Sequence, residues 1–195
     1  MKQKLMETGI QLFDQNGFKS TSVQDIVQLL GVTKGTFYYY FTSKEELLKD
    51  IHLSYIEELV RKQEAILKHS QTDCTKKLYE IIFMLISSIR TDRPSARIFS
   101  REMRHLSGNY IDEIKGKRNV FRKNTQKLIE EGIRQGQFKS NLRADILTMG
   151  ILGMTNWSFY WFNPDGEVPE EKVVEIYVDM ILNGISKNDS VYKWI

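Results

Sequence analysis

The 195-residue chain has one cysteine, three prolines and three histidines. Cys74 alone gives neither a disulfide framework nor a paired-thiol metal or redox site. His52, His69 and His105 are too widely spaced for a local metal motif, so no metal is expected. No Walker loop, Gly-x-Ser-x-Gly elbow or obvious Cys–His pair occurs; no enzyme and no cofactor are expected. No run of alternating residues is joined to an Asn-Gly type hairpin turn, so no sheet is expected. Repeats and low-complexity segments are also absent. Long hydrophobic runs are scarce. Residues 146–164 carry no formal charge, but they include Thr148, Asn156, Ser158 and Asn163. The expectation is a helix buried in soluble protein and no membrane span. No apolar segment of the secretory type follows Met1-Lys2-Gln3-Lys4, and a cytoplasmic location is expected.

Hydrophobic residues at 41% and charged residues at 27% are enough for a packed core and exclude wholesale disorder. The net charge of +3 does not by itself indicate nucleic acid. It is unevenly spread: residues 1–89 are neutral, 90–123 carry +6 and 124–195 carry −3.

Pro94, Pro164 and Pro169 each lie near an element boundary, and the rest reads as helices. The first helix is expected over 2–16, with Leu5, Ile10, Leu12 and Phe13 inward and Gly17 at its end. A second starts at Thr21-Ser22, where Ser22 and Asp25 have capping-box spacing, and ends at Leu30-Gly31. Thr33 caps a third through Tyr40. Ser43 caps a long fourth to about Lys68, with Glu45 and Glu46 in its first turn. Five more are expected near 75–90, 95–106, 109–136, 142–162 and 169–186, the last begun by Pro169-Glu170-Glu171 and closed near Gly184. The reading is an all-α protein. A three-helix helix-turn-helix domain, 1–46, precedes a helical bundle for ligand binding and dimerisation, 47–195.

Gly31 supplies the tight turn between the second and third helices. On the third, Phe37 and Phe41 fall about 40° apart at 100° per residue and define the inward face. Tyr39 points away from them, with Gly35 and Thr36 beside it, Tyr38 and Tyr40 on the flanks and Lys34 at the entry. A merely solvated face would be rich in Glu, Lys and Gln. Hydroxyls and a cation suit phosphates and base edges, and glycine lets backbone approach a surface.

The segment from Gly17 to Leu47, through Thr33-Lys34-Gly35-Thr36-Phe37-Tyr38-Tyr39-Tyr40-Phe41-Thr42-Ser43-Lys44-Glu45-Glu46, resembles the DNA-binding signature of the TetR family of bacterial regulators. Val27-Gln28-Leu29-Leu30 departs from the alanines usual there. The resemblance implies a homodimer whose recognition helices enter successive major grooves of a pseudo-palindromic double-stranded operator. It makes Lys34, Gly35 and Tyr39 base-reading residues. Thr21, Ser22, Thr36, Tyr38, Tyr40 and Lys44 become phosphate contacts, with Thr33 at the cap beside them.

The helix over 142–162 is apolar almost all round. Such a helix must be buried on both sides, one against its own core and one against a second subunit. The last helix has a similarly wide stripe, including Val173, Ile176, Met180 and Ile185. Arg93, Arg97, Arg101 and Arg104 are spaced to share one helical side, where like charges repel. Asp112, Glu113 or solvent would relieve that repulsion, and so would a phosphorylated effector, because guanidinium forks match phosphate. Residues 153–166 and 173–185 resemble a TetR subgroup that responds to acyl-coenzyme A thioesters of lipid catabolism. The resemblance implies a repressor with an effector pocket inside the C-terminal bundle. Phe83, Met84, Phe99, Met103, Met154, Trp157 and Trp161 are its apolar candidates. A regulator of efflux or stress genes with a hydrophobic drug-like effector is the alternative.

Overall fold

The computed structural model describes residues 1–183, which form nine α-helices and no strand. They are α1 (Lys2–Asn16), α2 (Val23–Leu30), α3 (Lys34–Tyr40), α4 (Lys44–Lys68), α5 (Cys74–Thr91), α6 (Arg93–Arg101), α7 (Gly108–Arg134), α8 (Ala144–Trp161) and α9 (Glu170–Asn183). The expected last turn of the final helix, with Gly184 and Ile185, lies outside the described residues.

Local chemistry fixes the starts of the early helices. Ser22, Thr33, Ser43 and Asp73 each accept a hydrogen bond from the backbone N–H three residues on, at 3.2, 3.2, 3.0 and 2.7 Å. Each such cap contributes roughly 0.5–2 kcal/mol. The Ser22–Asp25 capping box is closed on both sides: the Asp25 carboxylate accepts from the Ser22 N–H at 2.7 Å. Gly31 ends α2 at φ +69°, a left-handed conformation that costs a side-chain-bearing residue energy.

One expectation fails in the middle of the chain. The helix read over 95–106 starts at Arg93 and stops at Arg101, and a single 3₁₀ turn, Met103–His105, follows. Glu102 is buried there with its carboxylate 3.2 Å from His105 Nε2. The His105 and Leu106 N–H groups bond three residues back, to the Glu102 and Met103 carbonyls, in place of four.

Two hydrophobic clusters share α4. Leu47, Leu48 and Ile51 pack with Leu5, Phe13, Ile26, Phe37 and Phe41 in the N-terminal cluster. Tyr55, Ile56 and Leu59 pack with α5, α7, α8 and α9 in the other. The 25 residues of α4 span roughly 37 Å at 1.5 Å per residue, so a single rigid rod runs from one core into the other. α7 lies along α4, locked by the buried Gln63, whose amide donates to the Phe121 carbonyl at 3.1 Å and Thr125 Oγ1 at 2.8 Å. Ile98, Leu106 and Ile114 extend the N-terminal cluster, so α6 and the start of α7 also touch the head.

In the single chain, α8 has one face against its own core and the other open. Its inward face holds Thr148, Thr155 and Ser158, each hydroxyl donating to the carbonyl four residues back. Ile151 and Phe159 are buried beside them, while the opposite face carries further large apolar side chains: Ile146 and Trp157 are each 64% exposed, Met149 58% and Trp161 50%. Among the described residues no helix is long and apolar enough to cross a membrane.

Candidate nucleic-acid interface and effector pocket

The head presents α3 outward. Phe37 and Phe41 are buried, and burying each ring contributes about 1.5–3 kcal/mol. Tyr39 projects furthest, at 81% exposure, and Tyr38 is also exposed. The Tyr39 ring touches that of Tyr40 edge-on at 4.8 Å, which fixes its direction without burying it. Lys34, Gly35 and Thr33 are exposed as well. A Cβ at Gly35 would meet only Thr33 Oγ1, at an ordinary 3.5 Å. Nothing inside the protein therefore demands glycine there, although glycine costs a helix up to about 1 kcal/mol. Thr36 is half-buried, with its hydroxyl 3.1 Å from that of Thr33, so these two are already partnered at the cap. Tyr40 is half-buried against the core, and Ser22 is exposed with its hydroxyl in the capping box.

Two expected phosphate contacts face inward. Thr21 is buried, and its hydroxyl bonds the Gly17 carbonyl at 2.9 Å and the Leu12 carbonyl at 3.3 Å. Lys44 donates to the Phe18 carbonyl at 2.6 Å and to the Thr21 carbonyl, and its ammonium lies 4.3 Å from the Phe18 ring centre. Desolvation lowers its pKa, partly offset by Asp25. Lys44 thus holds the turn between α1 and α2. The reason is proximity: the start of α4 packs beside that turn, whose Phe18 and Thr21 carbonyls lie outside any helix and need donors.

One cavity of the larger domain, about 370 Å³, lies among α4, α5, α6, α7 and α8. Ile56, Leu59, Leu85, Phe99, Phe121 and Leu152 make its apolar wall. Arg118, Asn119 and Arg122 of α7 and Asn156 of α8 add the polar groups. This is the size and composition of a small-molecule site. Behind Phe99 lies His52, fully buried, its ring 5.3 Å away and both nitrogens without a partner. Burial and the nearby Arg118 push its pKa down to about 4.

Of the expected pocket residues, Phe99 lines this cavity and Met103 touches it through Arg118. Phe83 and Met84 are half-buried against the C-terminal core and Met154 is half-buried on α8. Trp157 and Trp161 stand on the exposed face. The arginine row is dispersed. Arg97 pairs with Asp14 of α1, Arg101 lies over the Tyr160 ring at 5.8 Å, and Arg104 contacts His105 beyond the helix end. None of these, nor Arg93, lines the cavity. The row breaks because the helix stops at Arg101 and because α1 supplies an acid that linear spacing did not reveal. Sequence reading passed over Arg118 and Arg122, although they contribute to the basic excess of residues 90–123.

Comparison with known proteins follows the same division. Residues 5–51 match the model described as bacterial regulatory proteins, tetR family. Residues 71–185 match that described as tetracyclin repressor-like, C-terminal domain. The chain is 26% identical over 190 residues to the HTH-type transcriptional repressor KstR2 of Rhodococcus jostii, covering 95% of this chain and 91% of that one. Its fold resembles that of the TetR family transcriptional regulator PfmR from Thermus thermophilus, with a TM-score of 0.86, 29% identity and coverage of 94% and 99%. It also resembles AibR in complex with isovaleryl coenzyme A and operator DNA, with a TM-score of 0.84, 21% identity and coverage of 93% and 97%.

Proposed function

The chain belongs to the TetR family of DNA-binding transcriptional regulators, and from that premise we propose that it is a cytoplasmic homodimeric repressor released from its operator by an acyl-coenzyme A thioester. The observation that supports this reading most is the continuity of α4. Leu47 and Ile51 anchor the DNA head, and Ile56 and Leu59, one to two turns later, line the cavity. A ligand that repositions that wall moves the head with it. Release requires the ligand to bind more tightly to a conformer whose two α3 helices no longer fit grooves about 34–36 Å apart. Equal affinity for both conformers would shift nothing.

The acyl chain lies against the apolar wall and the nucleotide end extends through the open side. The coenzyme A complex of the similarly folded AibR supports this class of effector. The exposed side chains of α8 and α9, including Ile146, Trp157, Ile176 and Met180, support the dimer, since a patch of this kind is rare on a monomer. Lys34, Gly35 and Tyr39 read bases, and Tyr38 and Thr36 contact the backbone.

The test is a gel shift against the chain's own upstream DNA, with and without a series of acyl-coenzyme A thioesters. Selective binding that a thioester reverses is expected. Binding unaffected by every thioester, but reversed by neutral hydrophobes, would transfer the protein to the drug-responsive class. Light scattering at micromolar concentration should give twice the chain mass of 22.9 kDa, and a single-chain mass would end the dimer reading.

A further inference from the structure

We infer that Arg118, with Arg122 one turn later on α7, is the receptor for an anionic oxygen of the effector, phosphate or carboxylate; this rests on the cavity being the effector site. Arg61, Arg90, Arg97, Arg134 and Arg143 each have a carboxylate partner. Among the described residues no acid lies within 4.0 Å of Arg118 or Arg122, and no acidic side chain lines the cavity. Arg93, Arg101 and Arg104 also lack an acid but stand outside it.

The donor count is one-sided. Arg118 has five N–H groups, yet its hydrogen-bond partner is the Met103 thioether at 3.0 Å, a weak acceptor. Its guanidinium rests 5.0 Å from the centre of the Phe99 ring. Arg118 is exposed overall, although the surrounding protein desolvates its guanidinium enough to lower its pKa. Arg122 spends its donors on neutral amides: Nε and Nη2 on Asn119 Oδ1 at 3.2 and 2.8 Å, and Nη1 on Gln126 Oε1 at 3.0 Å. That clamp fixes the guanidinium plane and leaves its charge uncompensated. Because Asn119 Oδ1 is occupied, the amide left free there is a donor too. His52, the titratable group behind Phe99, is held neutral by burial and by Arg118 and adds no second positive charge there.

An apolar wall with the Arg118, Arg122 and Asn119 donors along its α7 edge fits a ligand with a hydrocarbon part and an anionic group, and disfavours a neutral hydrophobe of equal size. Arg118 is exposed and has no acid within ion-pair distance among the described residues, so its removal should cost binding and not folding. This is the reverse of what a structural arginine shows.

The experiment uses calorimetry on the full-length protein with decanoyl-coenzyme A, decanoate and decanol, for wild type, Arg118→Met, Arg118→Lys and Arg122→Gln. Thermal melts of the unliganded proteins accompany it. Wild type should bind at least one anion tenfold or more tightly than decanol, a factor of about ten being what one charge-assisted bond readily supplies. Arg118→Met should erase that preference without lowering Tm, Arg118→Lys should keep part of it, and Arg122→Gln should weaken it. Decanoate binding that depends on Arg118, without decanoyl-coenzyme A binding, would refute the thioester reading and uphold the anion receptor. Decanoyl-coenzyme A bound equally by wild type and Arg118→Met would do the opposite. If neither anion binds wild type better than decanol, or if Arg118→Met lowers Tm by several degrees, the receptor role is overturned.

Discussion

Arg97, one turn before the end of α6, pairs with the Asp14 carboxylate near the end of α1, joining the cavity-bearing domain to the DNA head. Phe99, two residues further along α6, lines the cavity, so this ion pair and the cavity wall share a single short helix. The Asp14 side chain is nearly buried and that of Arg97 partly so, a setting in which a pair resists solvent screening better than one on the surface.

The pair should therefore be measurable. A double-mutant cycle with Asp14→Ala and Arg97→Ala, read by urea denaturation, is expected to give a coupling of about 1 kcal/mol, at the upper end of exposed pairs. A coupling indistinguishable from zero would mean that the domains are held by Ile98, Leu106 and their neighbours alone.

Tyr39→Ala should leave stability within about 0.5 kcal/mol, because the ring is exposed and touches only Tyr40. It should weaken operator binding by about 1–3 kcal/mol and alter the preferred sequence, as loss of a base contact does. Binding-site selection with the variant is the check. Unchanged preference would remove Tyr39 from the base-reading set.

Lys44→Met should destabilise the head by about 1–2 kcal/mol, through the loss of charge-assisted bonds to the Phe18 and Thr21 carbonyls. Affinity should fall for operator and random DNA alike, because the turn before α2 loosens. The dependence of affinity on salt should keep its slope, since no phosphate contact is removed. A slope shallower by about one would show that the ammonium leaves those carbonyls for a phosphate.

His52 gives a pH dependence with a defined sign. Its folded pKa of about 4 lies below the ordinary 6.5, so the unfolded chain binds more protons between those values. Stability is full above pH 6.5 and declines as pH falls towards 4, by roughly 2–4 kcal/mol on the scale of 1.36 kcal/mol per pH unit. His52→Leu should flatten that part of the stability curve. Asp25 and Glu46 act at lower pH: hydrogen bonds from Ser22 and Thr42 hold both carboxyls below their ordinary values. Their contribution is present above the unfolded carboxyl pKa and is lost as pH falls through the folded one. Denaturation curves from pH 3 to 8, comparing wild type with His52→Leu and Asp25→Asn, separate the two effects.

The DNA head was legible in the sequence because its determinants are local. Ser22, Thr33 and Ser43 cap neighbours three residues away, Gly31 sets one turn, and the four-residue spacing of Phe37 and Phe41 leaves Tyr39 outside. Tertiary structure decided the rest. Thr21 and Lys44 resemble phosphate contacts in the linear motif, but the packing of α4 beside the α1–α2 turn brings both to backbone carbonyls. The cavity draws Ile56, Leu85, Phe99, Arg118 and Asn156 from five helices. Periodicity shows which side of each helix is apolar and is silent on which helix lies opposite. For the same reason the outward turn of Trp157 and Met149, with Thr148 and Thr155 inward, was not visible in a helix rich in apolar residues. A threonine whose hydroxyl bonds its own helix can be buried cheaply, and only the neighbouring helices determine which face that is.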